Sequence, residues 1–247
     1  MVTKVEQVQS FFEQPAQYLS RRSFEIRIRA ETVKELAERS GDIRVLDIGC
    51  GDGSISLPLL TKTRCVTLLD LSSSMLSIAR SKVPPEVAEN VETVNQDFTA
   101  AQFKPQSFDL ILCIGVLAHV TSPADFIAKM VSLLKPGGSI IIECTDSRHV
   151  LTRMFSVIRK VWSLLRPTTY TLNSISYSDI IKIFRRYDLQ PKTKFRYVAP
   201  FPGSYRLFSQ DLLYKFTRQI FGTPSANRNV WLGNEYIGLF TSERSAL

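Results

Sequence analysis

Between residues 44 and 144, short apolar runs alternate with helical stretches, and each run breaks at a turn signal. The runs are Val45–Ile48, Cys65–Leu69, Val91–Asn95, Phe108–Ile114 and Ser139–Cys144, of which Val91–Asn95 is a short strand and only partly apolar. Ser54–Leu60, Ser73–Lys82 and Pro123–Leu134 carry helical patterns between them, and Lys135–Gly138 reads as the turn feeding the last run. Near-continuous apolarity within a run marks a strand covered on both faces, and parallel strands need a crossover between them. The pattern therefore predicts a parallel sheet with helices on both sides. Upstream, Phe24, Ile28, Val33 and Leu36 belong to a helical N-terminal region that Ser40-Gly41-Asp42 closes. Beyond residue 145 the alternation loosens. Helices are expected over Arg148–Arg166, Tyr177–Tyr187 and Tyr205–Phe221, and strands over Lys192–Val198 and Asn234–Thr241. The expectation is one domain in three parts: a helical lid (1–42), a core (43–145), and a C-terminal part (146–247) with the final strands and cap insertions.

The first run ends in Asp47-Ile48-Gly49-Cys50-Gly51-Asp52-Gly53. Glycines at this spacing let the chain turn sharply after a strand and approach a ligand without a Cβ in the way. The dinucleotide pattern is incomplete, because Ser54 stands where it would need a small apolar residue or glycine. Asp47 adds a second departure. A carboxylate there repels a pyrophosphate but suits a ligand with a positive amino group. Asp70 ends the second run 21 residues past Gly49, where a carboxylate accepts ribose hydroxyls. Asp97-Phe98 follows the third run, placed to bind an adenine amine and flank its ring. Carboxylates for an amine, a ribose and an adenine, in that order, describe S-adenosyl-L-methionine better than any dinucleotide.

VLDIGCGDGS (45–54), LLDLSSSML (68–76), QDF (96–98), FDLILCIGVLAHV (108–120) and LKPGGSIIIE (134–143) closely resemble the successive motifs of class I S-adenosylmethionine-dependent methyltransferases. The resemblance implies an α/β, Rossmann-like, doubly wound sheet of seven strands, mostly parallel with a reversed last strand, carrying a helical acceptor cap. It implies that Asp47, Gly49, Cys50, Gly51 and Gly53 shape the methionine end of the cofactor pocket. Asp70, Leu71 and Met75 would lie along the adenosine, Asp97 and Phe98 at the adenine, and Ile114 and Gly115 near the sulfonium. The N-terminal helical region, with Tyr18, would close over the cofactor. His119 would sit beside the pocket. Its place just past the fourth strand, where ligands gather in open α/β sheets, also makes it a candidate base for an acceptor's proton. His149, just past the fifth strand, is a second candidate and equally a helix-start histidine. The product would be S-adenosyl-L-homocysteine.

Charge divides the chain. The formal total of +8 splits into −2 over residues 1–144 and +10 over 145–247, so the C-terminal part is suited to an anionic partner. Arg148–Arg166 contributes to this. At 100° per residue, Arg148, Arg153, Arg159, Lys160 and Arg166 share one half of the wheel with Thr152, Ser156 and Ser163, and ten apolar residues fill the other half. The segment reads as a helix packed on the core, as the wall of a greasy acceptor pocket, or as an interfacial helix on anionic lipid with Phe155 and Trp162 inserting. The cap is expected from the N-terminal helices, 147–175 and 200–232.

No 18-residue apolar window or secretory leader is visible, which reads as a cytoplasmic protein, peripheral to a membrane at most. Four cysteines without zinc-type spacing read as reduced, buried thiols beside strands, and no metal site is expected. The chain has no Asn-Pro-Pro-Tyr after the fourth run and no Pro-Cys dipeptide, which argues against methylating bases in nucleic acid. The expected activity is methyl transfer to an oxygen or nitrogen of a small, partly apolar metabolite that is anionic or lipophilic. A membrane lipid or macromolecule as acceptor, and a cofactor-binding subunit without transfer activity, are the rival readings.

Overall fold

The structure is a computed structural model that describes residues 19, 22–38, 44–165, 175–198 and 207–242, with the backbone alone for 158–165. Its strands are β1 (Arg44–Ile48), β2 (Cys65–Asp70), β3 (Val91–Asn95), β4 (Phe108–Cys113), β5 (Leu134–Thr145), β6 (Leu189–Tyr197) and β7 (Glu235–Ser242). They form one sheet in the order β3-β2-β1-β4-β5-β7-β6. The first five are parallel, and β7 runs antiparallel to both of its neighbours. This is the expected seven-stranded sheet with its reversed strand. Strand order turns back between β1 and β4, so the loops at their carboxyl ends diverge and leave a crevice.

Burial explains the apolar runs. Val45, Leu46, Ile48 and Leu110 to Cys113 are at most 1% exposed because the sheet is covered on both sides. On one side α3 (Pro123–Leu133) and α5 (Tyr177–Arg185) pack Phe126, Met130, Ile180 and Phe184 against Leu46, Ile111, Ile142 and Phe240. On the other, α1 (Ser23–Glu38), α2 (Ser73–Ser81) and α6 (Gln210–Phe221) bring Ile28, Leu36, Ala79 and Phe221 to Val45, Leu112, Ile141 and Ile237. Serine side chains at 72, 122, 176 and 209 cap α2, α3, α5 and α6 by accepting a backbone N–H from the first turn.

Four local expectations change. Ser54–Leu60 forms only a 3₁₀ turn at Leu57–Leu59, because Pro58 has no N–H to return to the preceding turn. The Lys135–Gly138 turn lies inside β5, where the pairing with β4 jumps from Phe108↔Leu134 to Leu110↔Ser139. β6 starts at Leu189 and tolerates Pro191 as an edge strand, with a register shift between Pro191 and Thr193. Among the cysteines Cys65 is exposed, while Cys50, Cys113 and Cys144 are buried and desolvation pushes their thiols up. Tyr18 lies outside the described residues, as do Tyr205 at the start of the expected last helix and the segment before Leu19; α6 itself begins at Gln210.

α4 (Val150–Leu165) sits against the expectation for its wheel. In its first two turns the inward side mixes hydroxylic Thr152 and Ser156 with apolar Leu151 and Phe155. Thr152, Phe155 and Ser156 are partly buried, and Asn234 Nδ2 meets Thr152 Oγ1 at 3.3 Å. Val150, Met154 and Val157 face out.

Phe240 is fully buried and stacks on Phe184 at 4.2 Å between centroids. Phe240→Ala is expected to lower unfolding free energy by about 3–5 kcal/mol in a urea titration.

Candidate active site at the strand carboxyl ends

The glycine loop is pinned to β2. Gly49 N and Cys50 N both donate to Leu69 O, at 2.8 and 3.0 Å. Gly49 has φ +69°, and a Cβ on it would lie 2.4 Å from Val116 Cγ2, so only glycine lets the loop lie down beside the end of β4. Gly51 N then donates to Asp70 Oδ2 and Ser72 N to Asp70 Oδ1, each at 2.8 Å. Two backbone donors thus orient Asp70 at the tip of β2, and its remaining lone pairs can accept two hydroxyls. Burial holds its carboxyl above the usual range, while the backbone hydrogen bonds oppose that.

Asp47 is the exceptional group. It is 2% exposed on β1, and its Oδ2 has no hydrogen-bond partner. Ser56 Oγ, equally buried, stands near it without reaching hydrogen-bond geometry and relieves it only in part. Desolvation, followed by repulsion from Asp70 and Asp52, raises its pKa to about 7. Asp52 is different: Lys82 Nζ and Ser54 Oγ close on its Oδ2. An unpaired, dry carboxylate in a glycine loop fits a ligand that brings a positive charge, as the amino group and sulfonium of S-adenosylmethionine do.

The remaining expected residues divide. Leu71 is partly exposed beside Asp70, and Asn95 at the end of β3 clamps both by donating to their carbonyls, at 2.9 and 3.0 Å. Met75 and Ile114 are buried. Gly115, at φ +73°, turns the chain away from β4. Asp97 Oδ1 accepts from the Thr99 N–H and hydroxyl, which shapes its loop. The Phe98 ring is 4% exposed and lies 4.7 Å from Phe126, inside the core. His119 ends a 3₁₀ turn (Leu117–His119) on the ligand side of β4 and is partly exposed. His149 is committed elsewhere. Leu151 N–H donates to its Nδ1 at 3.3 Å, so Nε2 carries the proton and donates to Trp231 O at 2.8 Å. That makes it a helix-start cap, the second of its two expected roles.

Sequence reasoning missed a further group at the carboxyl end of β5. Glu143 is 2% exposed; Arg29 Nε and Tyr197 OH both donate to its Oε1, at 2.9 and 2.8 Å. Beside it Thr145 Oγ1 lies 2.7 and 2.9 Å from the two oxygens of Glu235. The available signal was an acidic residue closing the otherwise apolar Ile140-Ile141-Ile142 run.

This fold and loop are those of a Rossmann-like cofactor-binding enzyme. Residues 45–138 match the family model described as a methyltransferase domain. A ubiquinone biosynthesis O-methyltransferase from Saccharophagus degradans is 29% identical over 192 residues, covering 75% of this chain and 79% of that protein. The magnesium protoporphyrin IX methyltransferase of Synechocystis PCC 6803, solved with bound S-adenosylhomocysteine, superposes with TM-score 0.68 at 16% identity, covering 98% of this chain and all of that one. A methyltransferase from Thermotoga maritima superposes with the same TM-score at 17% identity and equal coverage. Over residues 45–138 the chain is similar to S-adenosylmethionine-dependent methyltransferases, and S-adenosyl-L-methionine is the cofactor that this similarity supports.

Asp47 and Glu235 both titrate near pH 7 in the fold, raised from 3.8 and 4.5 by burial. A raised carboxyl pKa means the folded state holds protons that the unfolded state has lost. Their contribution to stability is therefore full below about pH 4 and lost as pH rises through 7. In cofactor-free protein, unfolding free energy measured by denaturant is expected to fall less steeply between pH 4 and 8 in Asp47→Asn than in the wild type.

Proposed function

We propose that this chain methylates a hydroxyl oxygen of a small, partly apolar metabolite, with Asp47 taking the cofactor's amino group and Asp70 its ribose. The Asp47 carboxyl before the glycine loop carries the reading: its Oδ2 is buried without a partner, burial holds its pKa up to about 7, and a cationic ligand would stabilise its ionised form. Leu71 and Asp97 would border the adenosine, while Gly115 and Ile114 would lie below the sulfonium. The sulfonium supplies an already activated methyl group, so the protein's work is alignment, exclusion of water and disposal of one proton. His119, which ends the 3₁₀ turn after β4, would take that proton. Oxygen as the acceptor atom follows the names of the relatives, O-methyltransferases of ubiquinone biosynthesis.

The surface favours a membrane-side location for such a substrate. Val150, Met154 and Val157 are 75%, 48% and 60% exposed along one edge of α4, and Trp231, tied to the same helix through His149, is 73% exposed. Arg148 and Arg153 flank them, in the half of the chain with the basic excess. Apolar side chains framed by arginines suit an anionic lipid surface. No helix among the described residues is long and apolar enough to cross a membrane.

Asp47→Asn is expected to weaken S-adenosylmethionine binding about 10- to 100-fold by calorimetry, through loss of a charged hydrogen bond; unchanged affinity sinks the pocket assignment. Label from methyl-tritiated cofactor is expected in alkyl-substituted hydroxybenzenes and absent from transfer RNA and bulk protein. Vesicles containing a third phosphatidylglycerol should sediment the wild type, and Trp231→Ala combined with Val157→Ser should leave most protein in the supernatant.

A further inference from the structure

β5, β6 and β7 place several polar side chains on one face of the sheet, beneath α1. Register pairs Thr145 with Glu235, Glu235 with Tyr197, and Glu143 with Ile237. Side chains of directly paired residues, and of those two apart, share a face. Glu143, Thr145, Glu235 and Tyr197 therefore form one polar cluster at the carboxyl end of β5, the end where β4 delivers Gly115. Arg29 reaches it from α1, with Glu25 at 3.8 Å from its Nη1.

Both donors in this cluster converge on the same oxygen. Arg29 Nε and Tyr197 OH take Glu143 Oε1, while Oε2 is buried without any partner. A Cβ built on Gly115 would lie 3.7 Å from Glu143 Oε2 and 3.9 Å from Arg29 Nη2. The orphan oxygen thus looks toward the loop that leaves β4, with no side chain at 115 to cover it. Thr145 holds Glu235 beside it. Three carboxyl groups around one guanidinium leave the cluster acidic.

Resting on the methyltransferase reading above, we propose that Glu143 Oε2 is an acceptor-binding group: it accepts a hydrogen bond from a hydroxyl of the substrate and sets the site's preference for hydroxylated over carboxylated or fully etherified rings. A buried carboxylate with one oxygen fixed by two donors is pre-oriented, so its free oxygen binds a donor at little conformational cost. A second carboxylate brought to the same place meets repulsion from Glu143 and gains no donor, because Arg29 and Tyr197 are already engaged. Glu235 retains its proton up to about pH 7 under desolvation and the Glu143 charge, which keeps the floor from carrying a double negative charge. The cofactor's cationic end and the acceptor's hydroxyl are then met by different acids, Asp47 on β1 and Glu143 on β5.

The test is a calorimetric titration with S-adenosylhomocysteine present, using 4-hexylcatechol, its dimethyl ether and 4-hexylbenzoate as probes. Wild type is expected to bind the catechol at least about tenfold more tightly than the other two. Glu143→Gln keeps an oxygen for Arg29 and Tyr197 but turns an amide N–H toward the acceptor. It should bring the catechol and the ether within about threefold of each other, while S-adenosylhomocysteine affinity stays within about twofold. Should that variant fail to fold, Tyr197→Phe frees Glu143 to swing and should reduce the preference by half or more. The proposal is overturned by a wild type without preference for the catechol, or by variants that retain the full preference. Label transfer separates the two claims. Preference without methylation of any hydroxylated probe removes the reaction and leaves the subsite; methylation with an unchanged preference in the variants removes the subsite and leaves the reaction.

Discussion

Desolvation of acid at the carboxyl ends of parallel strands is the constraint on which the rest of this structure turns. The sheet is covered on both faces, so a carboxylate near a strand end, such as Asp47, is stripped of water by its own fold. The backbone amides beside it are directed elsewhere: Gly49 and Cys50 to the Leu69 carbonyl, Gly51 to Asp70. Asp47 is left with an unpaired oxygen and a proton held to about pH 7. The fold tolerates that cost because the loop's close approach to β2 and β4 requires its glycines, and those contacts are made with or without a ligand.

The reversed strand assembles a second polar cluster at the carboxyl end of β5. Inserting β7 antiparallel between β5 and β6 sets Glu235 opposite Thr145 on one side and Tyr197 on the other. A parallel strand in that position would send residue 235 to the opposite end of the sheet. The hairpin therefore carries polar side chains to the same edge that the glycine loop occupies, and α1 lays Arg29 over them. Asp47, Asp70 and the glycine loop lie at the ends of β1 and β2, apart from the polar cluster on β5, β7 and β6. Shared fold alone leaves the acceptor open, since proteins of this architecture act on very different molecules.

The same edge governs the surface. Asp146, just past β5, accepts from Arg196 at 3.0 Å and from the backbone of Arg148, tying the start of α4 to β6. Asn234 contacts Thr152, and His149 holds the Trp231 carbonyl. These polar anchors fix the rotation of α4, which is why Thr152 and Ser156 turn inward beside Leu151 and Phe155 while Val150, Met154 and Val157 look out. A hydrophobic wheel ranks faces by transfer free energy; a few specific hydrogen bonds at a helix start outweighed that ranking here.

The sequence by itself determined the parallel core, the glycine loop and the order of its carboxylates. Each of these rests on local rules: strand period, glycine where φ is positive, and an acid at a fixed step from a strand end. The nature of the cofactor followed from Asp47, Asp70 and Asp97 because each stands at or just past the end of a successive parallel strand, and parallel pairing brings those ends together. Only the tertiary structure decided that the Phe98 ring belongs to the core, that His149 is a cap, and that Glu143, Glu235, Arg29 and Tyr197 meet. Those four come from β5, β7, α1 and β6, and long-range strand register has no signature in any one segment. Burial made the same division: whether an acid is dry, and so able to hold a proton near neutral pH, depends on everything packed around it.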